Sequence, residues 1–400
     1  MDALMLPSNW QKVRLGDIAE IIGGGTPSTQ ITSFWNGSIN WFTPTEIGIT
    51  KYVYKSQRTI TPLGLKKSST KLLPIGTILL TSRASIGDCA ILKVVATTNQ
   101  GFQSLIPLEK INNEFLYYLM LTLKNKLLKL ASGSTFLEVS PNKIKNLLIP
   151  LPPLNEQIAI ANILSGLDRY LYALDALILK KEGVKKALSF ELLSQRKRLK
   201  GFNQNWQKVR LGDVAEIKRG ASPRPIENPK WFCTNSNVGW VRISDISKNS
   251  RFLYKTAQKL SKKGIEKSRL VKQNSLIMSM CATIGKPIIT KIDTCIHDGF
   301  VVFENPKIDL NYLYYFLCYI EKEWLESGQQ GSQVNLNVDL IKNKEVFCPK
   351  DLNEQIAIAN ILSALDHEII SLKNKKRQFD NIKKALNHDL MSAKIRVLKK

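Results

Sequence analysis

The sequence lacks the features that identify membrane and secreted proteins. No apolar run reaches the about eighteen residues that a membrane-spanning helix needs. The first ten residues contain no basic segment followed by an apolar one, so no secretory signal is predicted. The six cysteines form no C-x-x-C pair, and we expect no metal site. These absences predict a cytoplasmic protein that does not bind a membrane.

Acidic residues are scarce relative to basic ones. The chain of 400 residues has 33 Asp and Glu against 58 Lys and Arg, a formal net charge of +25. Such an excess points to a polyanionic partner, most often nucleic acid. A membrane surface is the rival, although no basic amphipathic terminal helix or lipidation motif is present, and a generally basic surface is the plainer interpretation.

The chain is a tandem repeat. The segment NWQKVRLGDIAEI at 9–21 recurs at 205–217, and LNEQIAIANILSGLD at 154–168 recurs at 352–366, with one substitution in each copy. The interiors between these framing segments are largely different. We therefore expect the framing segments to have the same function in both halves, whereas the interiors have related but different functions.

A long helix is predicted at the end of each half. Leu164, Leu171 and Ile178 belong to a heptad pattern of apolar residues that the second half repeats from Leu362. A helix this long with one apolar stripe needs a partner, and the simplest partner is its own repeat. Four seam positions hold lysines, which are either solvated, a basic stripe over DNA, or a device that sets the register: Lys181, Lys185, Lys376 and Lys383.

The interiors combine short strands with helices. Stretches rich in Ile, Leu and Val at 77–81, 89–95, 275–279 and 287–292 predict strands. Residues 115–130 and 310–325 predict helices. The fold class is therefore α+β, with two mixed α/β domains and two long helices.

These motifs together resemble the specificity subunit of type I restriction-modification systems. The resemblance rests on W-x-x-V-x-L-G-D at 10–17 and 206–213, on the turn at 24–28, and on the helix starts at 151–157 and 348–355. The second copy departs from the pattern with Lys350 and Asp351 in place of Pro152 and Pro153, and with a different turn at 218–223. The resemblance covers the whole chain.

The resemblance implies an architecture and a function. Residues 1–152 and 201–350 would be target-recognition domains. The helices within 153–200 and 351–400 would separate them as an antiparallel coiled coil with pseudo-two-fold symmetry. Such a chain reads a split, asymmetric double-stranded DNA target and has no catalytic centre or cofactor. It binds two methyltransferase subunits and two restriction-translocase subunits, which use S-adenosylmethionine, ATP and Mg²⁺.

Candidate DNA contacts lie in turns and polar loops, where side chains reach phosphates or base edges. The triple glycine before Thr26 lacks the G-K-[ST] ending of a P-loop, so it is either a plain turn or a phosphate contact. The candidates are Thr26, Ser28, Arg83, Ser85, Gln100, Ser134 and Thr135 in the first interior, and Arg219, Ser222, Arg224, Lys286, His297, Ser332 and Gln333 in the second.

Residues that are identical in both copies are assigned to the shared frame. Trp10 and Trp206 are predicted to pack in the core, since the two domains would read different bases. The predicted partner-binding residues, with a scaffold role as the alternative, are Glu156, Gln157, Glu354 and Gln355.

The alternative function is a self-contained nuclease or methyltransferase with two DNA-binding domains. The segment Asn228-Pro229-Lys230-Trp231 is a poor match to the methyltransferase motif D/N-P-P-Y/F, and no helicase P-loop is present. A generic basic scaffold is a third class, which a sequence-selective footprint would exclude.

Overall fold

The computed structural model describes residues 6–133, 137–248, 251–327 and 336–397. The chain divides into two compact units: unit 1 comprises residues 1–175 and 374–400, and unit 2 comprises residues 176–373. Each unit therefore holds one interior and part of each long helix. Within the described ranges, no helix has both the length and the apolar character needed to cross a bilayer.

Unit 1 is built from short strands that aliphatic and aromatic side chains favour. The strands are β1 (Gln11–Arg14), β2 (Ala19–Gly23), β3 (Trp35–Phe42), β4 (Tyr52–Val53), β5 (Arg58–Ile60), β6 (Ile78–Leu80), β7 (Cys89–Leu92), β8 (Ala96–Thr98), β9 (Gln103–Pro107) and β10 (Leu148–Leu151). The helices are α1 (Pro62–Lys66), α2 (Asn113–Leu130), α3 (Pro141–Lys145) and the long α4 (Leu154–Leu193), which continues into unit 2.

The strands of unit 1 form three sheets. One has the order β2-β9-β6-β7-β4, the second has the order β5-β3-β8, and β1 pairs with β10. The β1–β10 pair is antiparallel, with Gln11 opposite Leu151. The first framing segment is thereby joined to the strand that leads into α4.

Unit 2 repeats this order of strands. Its strands are β11 (Trp206–Arg210), β12 (Glu216–Arg219), β13 (Gly239–Val241), β14 (Phe252–Leu253), β15 (Gln258–Lys259), β16 (Arg269–Val271), β17 (Leu276–Ser279), β18 (Pro287–Thr290), β19 (Thr294–Ile296), β20 (Phe300–Glu304) and β21 (Glu345–Pro349). Its helices are α5 (Leu211–Val214), α6 (Ile243–Lys248), α7 (Lys262–Glu266), α8 (Leu310–Tyr319), α9 (Glu321–Ser327), α10 (Val338–Asn343) and the long α11 (Leu352–Met391).

The sheets of unit 2 match those of unit 1 strand for strand, with one addition. Their orders are β12-β20-β17-β18-β14, β15-β13-β19-β16 and β11-β21. The added strand β16 pairs with β19, whereas unit 1 has a single bridge between Leu73 and Ala96 at that place. The predicted mixed α/β interiors are confirmed, although the helix predicted over 310–325 is two helices, α8 and α9.

The two long helices pair with each other within each unit. They are 40 residues long each, as the heptad pattern predicts. In unit 1, Asp168 pairs with Lys383, and Asp175 pairs with Lys376 at 2.8 Å. One heptad forward on α4 is therefore one heptad back on α11, which makes the pair antiparallel.

The seam lysines carry ion pairs across the helix pair. In unit 2, Lys181 contacts Glu368 at 2.8 Å, and Lys185 contacts Asp366 at 2.5 Å. Together with the two pairs of unit 1, all four seam lysines face an acid of the other helix. Because a slip by one turn would break each pair, this arrangement favours a role in setting the register over plain solvation.

The helix starts belong to the core of each unit. In unit 1, Ile160 and Leu164 of α4 are fully buried with Leu15 and Phe115. In unit 2, Ile358 and Leu362 of α11 lie in the corresponding cluster. Trp10 and Trp206 are also buried, which confirms their predicted place in the core.

Candidate nucleic-acid interface

In unit 1, the turn after β2 meets the turn between β8 and β9. Gly25 N donates to Thr98 O at 2.9 Å, and Gly24 N donates to Phe102 O at 3.4 Å. The hydroxyl of Thr26 donates to Oε1 of the exposed Gln100. We call residues 24–28 with 99–101 the paired loops of unit 1. The structure thereby brings two predicted DNA contacts, Thr26 and Gln100, together.

Two tryptophans hold this turn from below. Trp41 Nε1 donates to Gly25 O at 2.9 Å, and Trp35 Nε1 donates to Ser28 O at 3.0 Å. The backbone is thereby anchored while the side chain of Ser28 stays exposed. A backbone fixed to the core is a rigid support for side chains that must fit a ligand.

Unit 2 has the same pairing, between residues 220–224 and 297–299, which we call the paired loops of unit 2. Gly220 N donates to Phe300 O at 2.8 Å, and Ala221 N donates to Ile296 O at 3.1 Å. The hydroxyl of Ser222 donates to Asp298 Oδ1 at 2.6 Å. Every one of these contacts is the counterpart of a contact in unit 1.

Close approach of the backbones explains a glycine in each unit. A Cβ on Gly24 would lie 1.9 Å from Asn99 O, and a Cβ on Gly220 would lie 2.1 Å from His297 O. Real Cβ atoms do not come this near to a carbonyl oxygen. Glycine is therefore required where the two turns touch.

The side chains on the paired loops differ between the units. In unit 2, Arg224 Nη2 donates to Asp298 Oδ2 at 3.2 Å, and Arg219 Nε donates to Asp298 O at 2.8 Å. The hydrogen bond from Ser222, together with the charges of Arg224 and His297, lowers the pKa of Asp298 below its ordinary value. Unit 2 thus carries a charged acid–arginine cluster where unit 1 carries a neutral amide and hydroxyls.

Asp298 was missed by the sequence analysis, which selected the neighbouring His297. The counterpart of Gln100 is Asp298, and the counterpart of His297 is Asn99: His297 Nδ1 accepts from Gly299 N as Asn99 Oδ1 accepts from Gly101 N, both at 2.9 Å. When Gly101-Phe102 is aligned with Gly299-Phe300, the residue before each pair is Gln100 in the first half and Asp298 in the second. This alignment would have identified the acid.

A third turn adjoins the paired loops of unit 1. Ser82 N donates to Gly101 O at 2.8 Å. The next residue, Arg83, forms a 2.8 Å ion pair with Glu138. Ser85 lies in the same turn and accepts a hydrogen bond from Thr81 through its carbonyl oxygen. The turn that holds Arg83 and Ser85 thus contacts the paired loops through the backbone of Ser82 and Gly101.

Other predicted contacts are placed differently. Lys286 directly precedes β18, beyond the corresponding turn of unit 2, and its backbone N donates to Ser279 Oγ. Four predicted residues lie outside the described residues: Ser134, Thr135, Ser332 and Gln333. All of these DNA contacts, placed or not, stay predictions.

The four predicted partner-binding residues are buried. Glu156 accepts from Trp10 Nε1 at 3.1 Å and from Arg396 Nε at 2.9 Å. Gln157 binds the backbone of Asn112 and Pro152. These bonds give both side chains a role in the frame of unit 1, which is the scaffold alternative, and their contact with a partner protein stays a prediction.

Unit 2 repeats this arrangement with the helices exchanged. Glu354 accepts from Trp206 Nε1 at 3.2 Å and from Arg198 Nη2 at 2.9 Å. Gln355 binds Asp309 N and Pro349 O. Arg198 follows α4 and Arg396 follows α11, so each long helix ends on the frame at the other helix's start.

A second polar cluster joins the interior of unit 1 to its helix pair. Lys51 Nζ lies 2.9 Å from both Tyr118 Oη and Ser165 Oγ, and it is paired with Glu114. Tyr118 in turn donates to Asp168 of α4. Burial lowers the pKa of Lys51 from its ordinary value.

Unit 2 builds the equivalent cluster with a different cation. Arg251 donates to Tyr315 Oη at 3.0 Å, to Ser363 Oγ at 2.6 Å and to Asn311 Oδ1 at 2.6 Å. Tyr315 donates to Asp366 at 2.6 Å. The lysine–glutamate pair of unit 1 is thus an arginine–asparagine pair in unit 2. The neutral asparagine accepts from arginine, which has more hydrogen-bond donors than the lysine that pairs with the charged glutamate.

The fold and the paired loops define a class of protein: a duplicated, strongly basic chain whose frame is repeated and whose loop side chains differ. Residues 7–181 and 203–379 match the family model described as "Type I restriction modification DNA specificity domain". The chain belongs to this family, whose members recognise DNA targets, and the resemblance predicted from the motifs is confirmed.

Individual relatives span the whole chain. The MjaIX specificity subunit of Methanocaldococcus jannaschii is 29% identical over 418 residues, which covers 98% of this chain and 95% of the relative. The S subunit of a type I restriction-modification system from M. genitalium shares the fold with 17% identity and a TM-score of 0.59, over 97% of this chain and 98% of that one.

A second solved structure also shares the fold. It concerns complex assembly and conformational transition of the type I R-M system, and its matching chain has 18% identity and a TM-score of 0.64, with 97% and 98% of the two chains covered. At such low identity the likeness concerns the fold alone.

Proposed function

We propose that this chain is the DNA-reading subunit of a type I restriction-modification complex, and that each unit reads one half of a split, asymmetric target. The observation that carries the proposal is the pair of equivalent loop frames with unlike side chains, Thr26 and Gln100 against Ser222 and Asp298. The protein backbone has the same geometry in both units, which suits the uniform phosphate backbone of a duplex. The side chains differ between the units, which suits bases that differ between the two halves of a target.

The charge of the chain supports DNA as the ligand. A net charge of +25 favours binding to the phosphates of a duplex, and this binding weakens as salt rises.

The two halves of the target should lie about one helical turn, about 10–10.5 bp, apart if both are read from one face of the duplex. Bases between the halves are expected to vary freely.

We propose further that the chain is a scaffold for two methyltransferase subunits and two restriction-translocase subunits. Those partners would supply the chemistry with S-adenosylmethionine, ATP and Mg²⁺, while this chain performs no catalytic step. The two helix starts support a twofold docking site: Leu154 and Ile158 are exposed on α4, and their counterparts Leu352 and Ile356 are exposed on α11. Identical apolar surfaces that occur twice suit two copies of one partner.

The test is an exchange of one interior. Residues 206–347 are replaced by the same interior of another specificity subunit, the chimera is co-expressed with its methyltransferase subunit, and methylated sites in the host DNA are sequenced. We expect one half of the methylated sequence to change and the other to stay.

The matched control exchanges residues 10–149 and should change the other half. A single exchange that rewrites both halves would contradict the proposal. Methyl transfer or cleavage by the purified chain alone, given DNA, Mg²⁺ and S-adenosylmethionine, would favour the self-contained enzyme instead.

A further inference from the structure

The paired loops separate what the two units share from what distinguishes them. The shared part is backbone: Gly24 or Gly220 pressed against the opposite turn, and the main-chain bonds on either side of it. The distinguishing part is the set of side chains at the tip. The loops therefore act as one support that carries two sets of side chains.

The two possible DNA ligands predict different patterns at such tips. Phosphates are chemically the same under both halves of a target, so residues that bind them have no reason to differ between the units. Base edges differ, and they are read by a donor and acceptor pattern that changes with sequence. Differences at equivalent positions on a common support therefore indicate contact with bases.

An acid at the tip of unit 2 strengthens this argument. A carboxylate is repelled by phosphate, so Asp298 is unsuited to bind the DNA backbone. Its two carboxylate oxygens accept from Ser222 and Arg224, and its main-chain oxygen accepts from Arg219. The carboxylate of Asp298 thus fixes one hydroxyl and one guanidinium group, and the backbone of the same residue fixes a second guanidinium group beside them.

The same contacts contribute little to the stability of the fold. The side chain of Arg224 is 73% exposed and that of Asp298 is 42% exposed. Ion pairs this open to water add little to stability, because water and salt screen them. A cluster of donors held in place on the surface, without benefit to the fold, is suited to a ligand.

We propose that the paired loops select the bases of each half-target, with Asp298 as the positioning residue that orients Arg219 and Arg224 in unit 2 and with the Thr26–Gln100 pair in the equivalent place in unit 1. This assignment rests on the proposed function and adds to it the residues that decide specificity. Arginine held in a fixed orientation is suited to guanine, whose N7 and O6 accept two hydrogen bonds.

The structure supplies its own test variant. The double substitution Ser222→Thr and Asp298→Gln installs the hydrogen-bonded pair of unit 1 on the equivalent backbone of unit 2. A second variant, Arg224→Gln, alters an exposed side chain that the fold does not need. The matched control is Asp293→Asn, which alters an acid that pairs with Lys272 at the other end of β19.

The measurement uses the full chain in complex with its methyltransferase subunit and a duplex library in which the half-target of unit 2 is randomised. Both variants should keep the wild-type melting temperature and lose about tenfold in preference for the native half-target, a ratio within the roughly fivefold to 150-fold that one bidentate base contact is worth. The other half and the control should be unaffected.

Three results would overturn the assignment: an unchanged preference, an equal loss of affinity for every sequence, or a change in the other half-target. The last two would make the cluster a phosphate contact or a general structural element. If the wild-type complex itself showed no preference for a target in two separate halves, the proposed function would be wrong. If the wild type showed this preference and the variants retained it, only the assignment to the paired loops would be wrong.

Discussion

The helix starts and the paired loops repeat in opposite ways. At the helix starts, side chains and contacts are both duplicated, so that Trp10 and Glu156 in unit 1 match Trp206 and Glu354 in unit 2. At the paired loops, the backbone contacts are duplicated and the side chains are not. The helix starts thus keep both their side chains and their geometry, whereas the paired loops keep only their geometry.

The largest expected effect is loss of the buried carboxylate at either helix start. The side chains of Glu156 and Glu354 are only 1% exposed, and each forms an ion pair with an arginine. Glu156→Gln and Glu354→Gln therefore each leave an arginine without its charged partner. Breaking a buried pair from one side costs about 3 kcal/mol. We expect both variants to lower the free energy of unfolding by the same amount in chemical denaturation.

The control for this pair is Glu345→Gln, because Glu345 and its partner Lys208 are both more than half exposed. That variant should unfold like the wild type. A large loss in only one of the two buried variants would show that the frames are alike in sequence but not in energetics.

A smaller difference in stability is expected between two equivalent positions along the helix pair, one in each unit. In unit 1, the rings of Tyr170 and Phe379 are 4.7 Å apart between centroids, and in unit 2 the equivalent positions hold the ion pair of Glu368 and Lys181. Phe379→Ala should cost about 2 kcal/mol, roughly half the loss for a fully buried phenylalanine. Lys181→Ala should cost less than about 1 kcal/mol.

Thermal and chemical unfolding of the two alanine variants would measure this difference. A matched substitution, Tyr170→Leu, keeps much of the apolar surface and should lie between them. If Lys181→Ala were the more destabilising change, the ion pairs rather than the apolar seam would dominate the helix pair.

The smallest expected effect is a pH dependence that only unit 2 shows. Burial lowers the pKa of His297, opposed by Asp298 and assisted by Arg242, whereas unit 1 has Asn99 at that position. Because the unfolded chain binds the proton more readily, the stability is complete above about pH 6.5 and declines as the pH falls below it.

Melting curves between pH 7.5 and 5 would detect this decline, and His297→Asn should remove it. Asp298 does not interfere, since its lowered pKa places its own titration below this range. A decline that persists in His297→Asn would assign it to another group.

The sequence predicted the architecture well because repeats and heptads are local patterns. The long helices and the mixed α/β interiors follow from residues that are close in the chain, and the core tryptophans follow from the identity of the two copies. The site was predicted less completely. Thr26 and Gln100 were selected separately from their turns, and their hydrogen bond across 74 residues was not foreseen.

The predictions that were incomplete depend on distant partners. Glu156 and Gln157 were selected as identical polar residues at a helix start, yet Glu156 is bonded to Arg396, 240 residues away. Asp298 was overlooked because an acid in a turn has no distinctive pattern of its own, although it precedes Gly299 as Gln100 precedes Gly101. Its place became evident only from the contacts of Ser222 and Arg224.

The sequence by itself determined that the frame occurs twice and that two long amphipathic helices pair, because hydrophobic periodicity and near-identical segments require no knowledge of distant contacts. Only the tertiary structure decided which side chains meet. The close approach at Gly24 and Gly220, the contacts of Asp298 with two arginines, and the burial of Glu156 and Glu354 all arise from chain segments that folding brings together. A hydrogen bond or a van der Waals contact depends on distances of a few ångströms, which separation along the chain does not specify.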